Sequence, residues 1–104
     1  MENAMSTRAD KYILNDVGEP VPCYDVISGA KLYEKAYRKV AHTVVNGKGV
    51  STVFLGLNHQ WGKGPPLIYE TMIFALGHRN DEYCERYSTR EEALEGHAKA
   101  VRML

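Results

Sequence analysis

The sequence predicts an α+β domain in which an antiparallel sheet of three to five strands has one face covered by two helices. Two Val- and Thr-rich runs joined at Asn46-Gly47 have the pattern of a β-hairpin. The second of these runs and a third apolar run flank a polar loop at residues 58–66, which indicates another pair of strands. Apolar residues also recur at helical spacing before the first strand run and at the end of the chain, and each such stripe needs a sheet face to bury it.

Length and composition are those of a small globular protein. The chain has 104 residues, of which 44% are hydrophobic and 25% charged. This length and composition are sufficient for a hydrophobic core that needs no disulfide or metal cross-links. We predict a flexible N-terminus at residues 1–10 and a single α+β domain at residues 11–104. Thirteen basic and thirteen acidic residues give a net charge of zero, which disfavours nucleic-acid binding and leaves self-association open.

Cysteine usage and hydropathy predict a cytoplasmic protein with no membrane partner. Cys23 and Cys84 form no C-x-x-C pair, and two lone thiols fit a reducing compartment. No apolar segment reaches the length of about 20 residues needed to span a bilayer. The first ten residues contain no apolar run of the kind found in a signal peptide.

The N-terminal third predicts one short strand and one helix. Lys11–Leu14 has strand character and runs into a turn at residues 15–20, after which the prolines impose an extended path. Asp25 is a suitable N-cap for a first helix over Val26–Tyr37. Its apolar stripe consists of Val26, Ala30, Tyr33 and Tyr37.

The rest of the chain predicts a series of strands and a final helix. Residues 38–45 and 50–57 form the two arms of the Asn-Gly hairpin, Leu67–Phe74 a third strand, and Tyr83–Tyr87 a short edge strand. Ser88 and Glu91 have the spacing of a capping box, so the final helix is expected from about Thr89 to Leu104. Its predicted core-facing stripe consists of Leu94, His97, Ala98 and Val101.

The polar loop is the first candidate binding region. It contains Trp61, the sole tryptophan, beside Gly62-Lys63-Gly64 and two prolines. The glycines suggest phosphate binding, but the loop lacks the P-loop pattern and leads into a strand, which favours a rigid, shaped loop. An exposed Trp61 would be an anchor for a partner, whereas a buried one would close the end of the core.

A second hypothesis joins His59, Glu70 and His97 in a two-histidine, one-carboxylate metal set or an acid–base pair. The competing structural interpretation is stronger, because a histidine on an apolar helix face is usually a hydrogen-bonded core residue and a strand carboxylate often pairs across strands. We therefore assign no catalytic residue, metal or cofactor. The predicted binding residues are Asn58, His59, Gln60, Trp61, Lys63, Tyr69, Glu70 and His97.

Two segments, VSTVFLGLNHQWGKGPPLIYETMIF and ERYSTREEALEGHAKAV, resemble a family of small phage- and prophage-encoded proteins of uncharacterised function. The segment KYILNDVGEPVP resembles the same family more weakly. Residues 75–79 depart from it, since the family has a Gly-Gly type turn there. The resemblance assigns no catalysis. It implies a phage accessory protein in the host cytoplasm that binds a host or defence component, as anti-CRISPR-like inhibitors do.

Three functions follow from these observations. The favoured one is a non-enzymatic binding protein whose face contains the Trp61 loop and neighbouring tyrosines. The second is a protein that binds a small or nucleotide-like ligand between loop and helix. The third is a small metal-dependent or acid–base enzyme that uses His59, Glu70 and His97.

Overall fold

The computed structural model of the chain describes residues 9–24, 38–75 and 81–104. They form a two-stranded antiparallel sheet, a four-stranded antiparallel sheet with the order β3-β4-β5-β6, and one helix. The predicted α+β class with an antiparallel sheet is confirmed. The elements are β1 (Tyr12–Leu14), β2 (Pro20–Pro22), β3 (Lys39–Val45), β4 (Lys48–Phe54), β5 (Tyr69–Ala75), β6 (Asp81–Tyr87) and α1 (Arg90–Arg102).

Strands β1 and β2 form a hairpin around the predicted turn. Leu14 is opposite Pro20 and Tyr12 is opposite Pro22. The side chain of Asn15 closes the turn, because its Oδ1 accepts hydrogen bonds from the amides of Val17 and Glu19 at 3.1 and 2.9 Å. A two-stranded sheet accommodates the prolines, since each strand has an outer edge where a missing N–H breaks no ladder bond.

The turn between β3 and β4 confirms the Asn-Gly hairpin. Asn46 and Gly47 have φ values of 51° and 74°, the left-handed pair that a two-residue hairpin turn requires. From this turn the strands pair in register, with Thr43 opposite Val50 and Val45 opposite Lys48. The strong local preference of these two residues sets the register of the β3–β4 hairpin next to the turn.

Helix α1 packs on one face of the four-stranded sheet, over two apolar clusters. Buried side chains form the first at Phe54, Ile68, Tyr69 and Ala93 and the second at Val50, Ile73 and Ala100. Between them, Thr52 and Thr71 are directly opposite each other and fully buried. The core is therefore two apolar layers separated by a polar one.

The cap of α1 lies one residue later than predicted. The hydroxyl of Thr89, not Ser88, accepts a hydrogen bond from the Glu92 amide at 3.0 Å, and Glu92 Oε1 accepts from the Thr89 amide at 3.1 Å. A capping box is present at the start of the helix as predicted, but Thr89 and Glu92 form it instead of Ser88 and Glu91. Both pairs satisfy the spacing rule, and only the path of the chain leaving β6 selects the second.

The predicted stripe of α1 is also rotated. The buried helix residues are Ala93, Gly96, His97 and Ala100, whereas Leu94 is 43% exposed. The sheet supplies the large side chains at this interface, so the helix meets them with its small residues. Of the four predicted stripe residues, only His97 is buried, and Val101 is half-buried.

The predicted first helix, Val26–Tyr37, lies outside the described residues. Cover of one sheet face by two helices therefore stays a prediction, and the structure shows α1 on that face. No helix among the described residues has the length and apolar character that crossing a bilayer requires.

Candidate functional site

The polar segment between β4 and β5, residues 58–67, is the Trp61 loop. Its neck is closed by the backbone, since the His59 amide donates to the Leu67 carbonyl at 2.9 Å. The side chain of Asn58 closes it again, because its Oδ1 accepts from the amides of Gln60 and Leu67 at 2.8 and 3.1 Å. One amide side chain thus joins the two ends of the loop.

A second amide side chain supports the interior of the loop. Gln60 Oε1 accepts a hydrogen bond from the Gly62 amide at 3.1 Å, and its Nε2 donates to the Pro65 carbonyl at 3.3 Å. The first bond is local, between residues two apart, and the second spans the segment from Gln60 to Pro65. The prediction of a rigid, shaped loop agrees with this internal network.

The N-terminal segment holds the base of the loop from outside. The Asn58 amide donates to the Asp10 carbonyl at 2.8 Å, and Asn58 Nδ2 donates to the Ala9 carbonyl at 3.2 Å. The Tyr12 amide donates to the Gly56 carbonyl at 2.6 Å. Residues 9–12 therefore fix the start of the Trp61 loop against the sheet, and Ala9 is buried there.

Trp61 is presented to solvent by this supported loop. Its side chain is 96% exposed, although an indole is one of the most favourable groups to bury. Lys63 is also exposed. Of the two positions considered for Trp61, the structure shows the exposed one.

Five predicted binding residues lie together on this loop: Asn58, His59, Gln60, Trp61 and Lys63. Tyr69 does not join them at the surface. It is 1% exposed and packs against Phe54 with ring centroids 5.4 Å apart, and burial raises the pKa of its hydroxyl. Its role is in the core.

Glu70 and His97 lie on opposite faces of the sheet. Glu70 Oε2 accepts from Arg86 Nε at 2.9 Å and from the Cys84 thiol at 3.2 Å. The neighbouring Thr71 faces helix α1, and adjacent strand residues point to opposite faces. Glu70 therefore forms an ion pair with Arg86 on the neighbouring strand, as the structural interpretation of the sequence expects for a strand carboxylate. The sheet separates it from His97.

His97 is the centre of the polar layer beneath α1. Its Nδ1 is 2.7 Å from Thr52 Oγ1, its Nε2 is 2.9 Å from Thr43 Oγ1, and Thr52 Oγ1 is 2.5 Å from Thr71 Oγ1. Burial, and to a smaller extent the nearby His42, lowers the pKa of His97. Both ring nitrogens are used to join helix and sheet, as expected of a core histidine.

The metal and acid–base hypothesis has no assembled site in this fold. His59 belongs to the Trp61 loop, while the two other members of the trio are on opposite sheet faces. Among residues 9–24, 38–75 and 81–104, no group of three or more His, Cys, Asp or Glu side chains is placed to hold a metal ion.

Sequence reasoning missed a groove between strand β6 and helix α1, which we call the β6–α1 groove. It has a volume of about 580 Å³, and its strand wall is formed by Tyr83, Glu85 and Tyr87. Pro65 and Leu67 of the Trp61 loop also line it. It therefore adjoins the loop that carries the exposed indole.

A signal for this groove is present in the sequence. Glu92, Glu95, Lys99 and Arg102 form its helix wall and are spaced so that they share one helix face. Taken alone, that face reads as an ordinary solvated surface. Only the position of the helix beside the edge strand makes it one wall of a groove.

Comparison of the chain with protein-family models, curated proteins and solved structures found no match.

Proposed function

We propose that this protein is a non-enzymatic binding protein that docks a partner protein through the Trp61 loop. The observation that carries the proposal is the 96% exposure of Trp61 on a loop held by Asn58 and Gln60. Tryptophan is among the residues most enriched at binding hot spots, where its ring fills a pocket on the partner.

The construction of the loop favours binding on entropic grounds. A flexible loop loses conformational freedom when a partner orders it, and this loss subtracts from affinity. Here, Asn58 and Gln60 order the loop before any partner arrives. The indole therefore needs little reorganisation to enter a complementary pocket.

The partner class follows from the resemblance and from the charge. The resemblance to phage-encoded proteins supports a host or defence protein as the partner, met in the host cytoplasm. A net charge of zero supports a protein partner over a nucleic acid, because phosphate binding relies on an excess of positive charge.

The test compares the wild-type protein with Trp61→Ala. Each is used to capture partners from bacterial lysate, and each recovered protein is purified and titrated. We expect Trp61→Ala to weaken the binding of the partner by roughly 30-fold or more, equivalent to a hot-spot loss of about 2 kcal/mol. Its free energy of unfolding should change by no more than about 0.5 kcal/mol, because the ring is outside the core.

Val17→Ala is the matched control, since Val17 is a large exposed side chain on the β1–β2 turn. It should leave partner binding unchanged. The proposal fails if Trp61→Ala binds the purified partner as tightly as the wild type does, or if the wild type recovers no partner.

A further inference from the structure

Strand β6 is an edge of the four-stranded sheet. It pairs with β5, and no strand among the described residues pairs with its other side. An edge strand presents backbone N–H and C=O groups to solvent, and an extended peptide can add to it as a further strand. The β6–α1 groove lies beside this edge, so an added strand would have a helix along one side.

The groove has a defined polarity because β6 and α1 run in opposite directions. Tyr87, at the end of the strand, packs with the cluster of Ala93 near the start of the helix. Tyr83, near the start of the strand, packs with the cluster of Ala100 near the end of the helix. The two ends of the groove are thus identified by the two tyrosines.

The charges of the helix wall are segregated along this direction. Glu92 and Glu95 lie at the Tyr87 end, whereas Lys99 and Arg102 lie at the Tyr83 end. Glu85 of the strand wall extends the acidic part toward the middle of the groove. An occupant of complementary charge would carry a basic residue at the first end and an acidic residue at the second.

The spacing of these charges sets a length. Lys99 follows Glu92 by seven positions, which is about 10 Å along a helix. An extended chain covers about 10 Å in three residues, but side chains on the same face of a strand are an even number of positions apart. The basic and acidic residues of the occupant should therefore be two or four positions apart.

We infer that the β6–α1 groove binds an extended segment of a partner protein, which pairs with β6 and carries a basic and an acidic residue in that fixed order. This inference rests on the proposed function, since it names the part of the partner that is bound beside the Trp61 loop. Pro65 and Leu67 connect the two regions, because they belong to the loop and line the groove.

The experiment is a selection of random 12-residue peptides displayed on a carrier, with the intact protein as the target. We expect enriched peptides to share a basic and an acidic residue two or four positions apart, in one order. Their binding should increase the hydrogen-exchange protection of outward-facing β6 amides such as that of Arg86, because Tyr83, Glu85 and Tyr87 direct their amides toward β5.

The decisive variant exchanges the inner pair of helix-wall charges, Glu95→Lys with Lys99→Glu, and leaves Glu92 and Arg102 in place. It conserves the net charge and an opposite-charge pair four residues apart on the helix. The selected peptides should bind it at least about tenfold more weakly, because the charges of the helix wall then alternate and no longer form an acidic part and a basic part. Glu91→Lys, on the same helix but outside the groove wall, should retain the original preference.

Three results would overturn the inference. The enriched peptides could share no order of basic and acidic residues, or they could bind the charge-exchange variant as tightly as the wild type. Bound peptides could also increase hydrogen-exchange protection elsewhere and not in β6. A protein that dimerises in sedimentation, and loses its dimer on the charge exchange, would also overturn it in favour of a second copy as occupant. The proposed function is tested separately, because Trp61→Ala leaves the groove intact. The selected peptides should therefore bind Trp61→Ala as tightly as they bind the wild type. This result does not depend on whether Trp61→Ala also binds the captured partner.

Discussion

Gly96 lies where helix α1 passes over the ring of Tyr87. A Cβ atom built on Gly96 would overlap the hydroxyl oxygen and Cζ of that ring. A residue without a side chain is therefore required here by the closeness of the helix to the sheet. The hydroxyl of Tyr87 is buried, and burial raises its pKa.

Gly96→Ala should destabilise the protein, although alanine is the better helix former. The gain in helix propensity is about 1 kcal/mol, whereas forcing a methyl group into a filled space costs about 1–3 kcal/mol. We expect a lower urea midpoint with an unchanged m-value. The opposite change at an exposed site, Ala98→Gly, should lower stability by no more than about 1 kcal/mol. A Gly96→Ala variant as stable as the wild type would contradict this packing.

At the scale of elements, the Trp61 loop is ordered by polar side chains and has little apolar packing of its own. Asn58 alone makes three side-chain hydrogen bonds, two as an acceptor and one as a donor to the Ala9 carbonyl. Asn58 therefore holds the neck of the loop, whereas Gln60 supports its interior. The neck can be loosened without altering the core.

Asn58→Ala should open the loop locally. The amides of Gln60 and Leu67 lose their acceptor, so their hydrogen exchange should become faster, with a loss of about 1–2 kcal/mol in stability. The amides of β4 should remain protected. Partner binding should weaken as well, because the loop is no longer ordered in advance.

Asn15→Ala is the control for this prediction. Asn15 has the same capping role in the β1–β2 turn, where its Oδ1 accepts from Val17 and Glu19. Its loss should leave exchange at Gln60 and Leu67 unchanged. Equal exchange at these two amides in wild type and Asn58→Ala would show that the neck is held by other contacts.

The elements also show how far sequence patterns reach. The Asn46-Gly47 turn, the alternation of β4 and β5, and the capped final helix were all predicted, because each depends on interactions within a few residues. The one-residue errors at Thr89 and in the helix stripe have a different source. They depend on contacts between α1 and the sheet, which no local pattern encodes.

At the scale of the whole molecule, the two sheet faces have different chemistry. The face under α1 holds the apolar clusters and the polar layer of His97, while the opposite face carries the Glu70–Arg86 ion pair. Because His97 is 7% exposed and central to the helix–sheet contact, its protonation is coupled to global stability.

We expect stability to fall as the pH drops below the ordinary histidine pKa of 6.5. Burial lowers the folded-state pKa of His97, so below 6.5 the unfolded chain binds more protons than the folded one. The free energy of unfolding then decreases toward the lower folded-state pKa, by at most about 1.4 kcal/mol per pH unit for this group. Urea unfolding at pH 7.5 and 5.5 measures the effect.

Two variants test whether His97 is the group responsible for this pH dependence of stability. His97→Gln should be less stable at both pH values but should show a smaller difference between them. His59→Gln should retain the wild-type difference, because His59 lies in the Trp61 loop. If His97→Gln keeps the full difference, another group is responsible.

The sequence by itself determined the α+β class, the antiparallel hairpins, the final helix and the polar loop with its tryptophan. These depend on turn residues, strand alternation and capping, whose energies are local. The tertiary structure decided the rest: Glu70 and His97 lie on opposite faces, Trp61 points to solvent, and a charged helix face becomes the wall of a groove. Each of these depends on which face of the sheet the helix covers and how it is rotated there. The contacts of the helix with the sheet fix this placement: Gly96 packs against Tyr87, and His97 is hydrogen-bonded to Thr43 and Thr52, which are distant in the sequence.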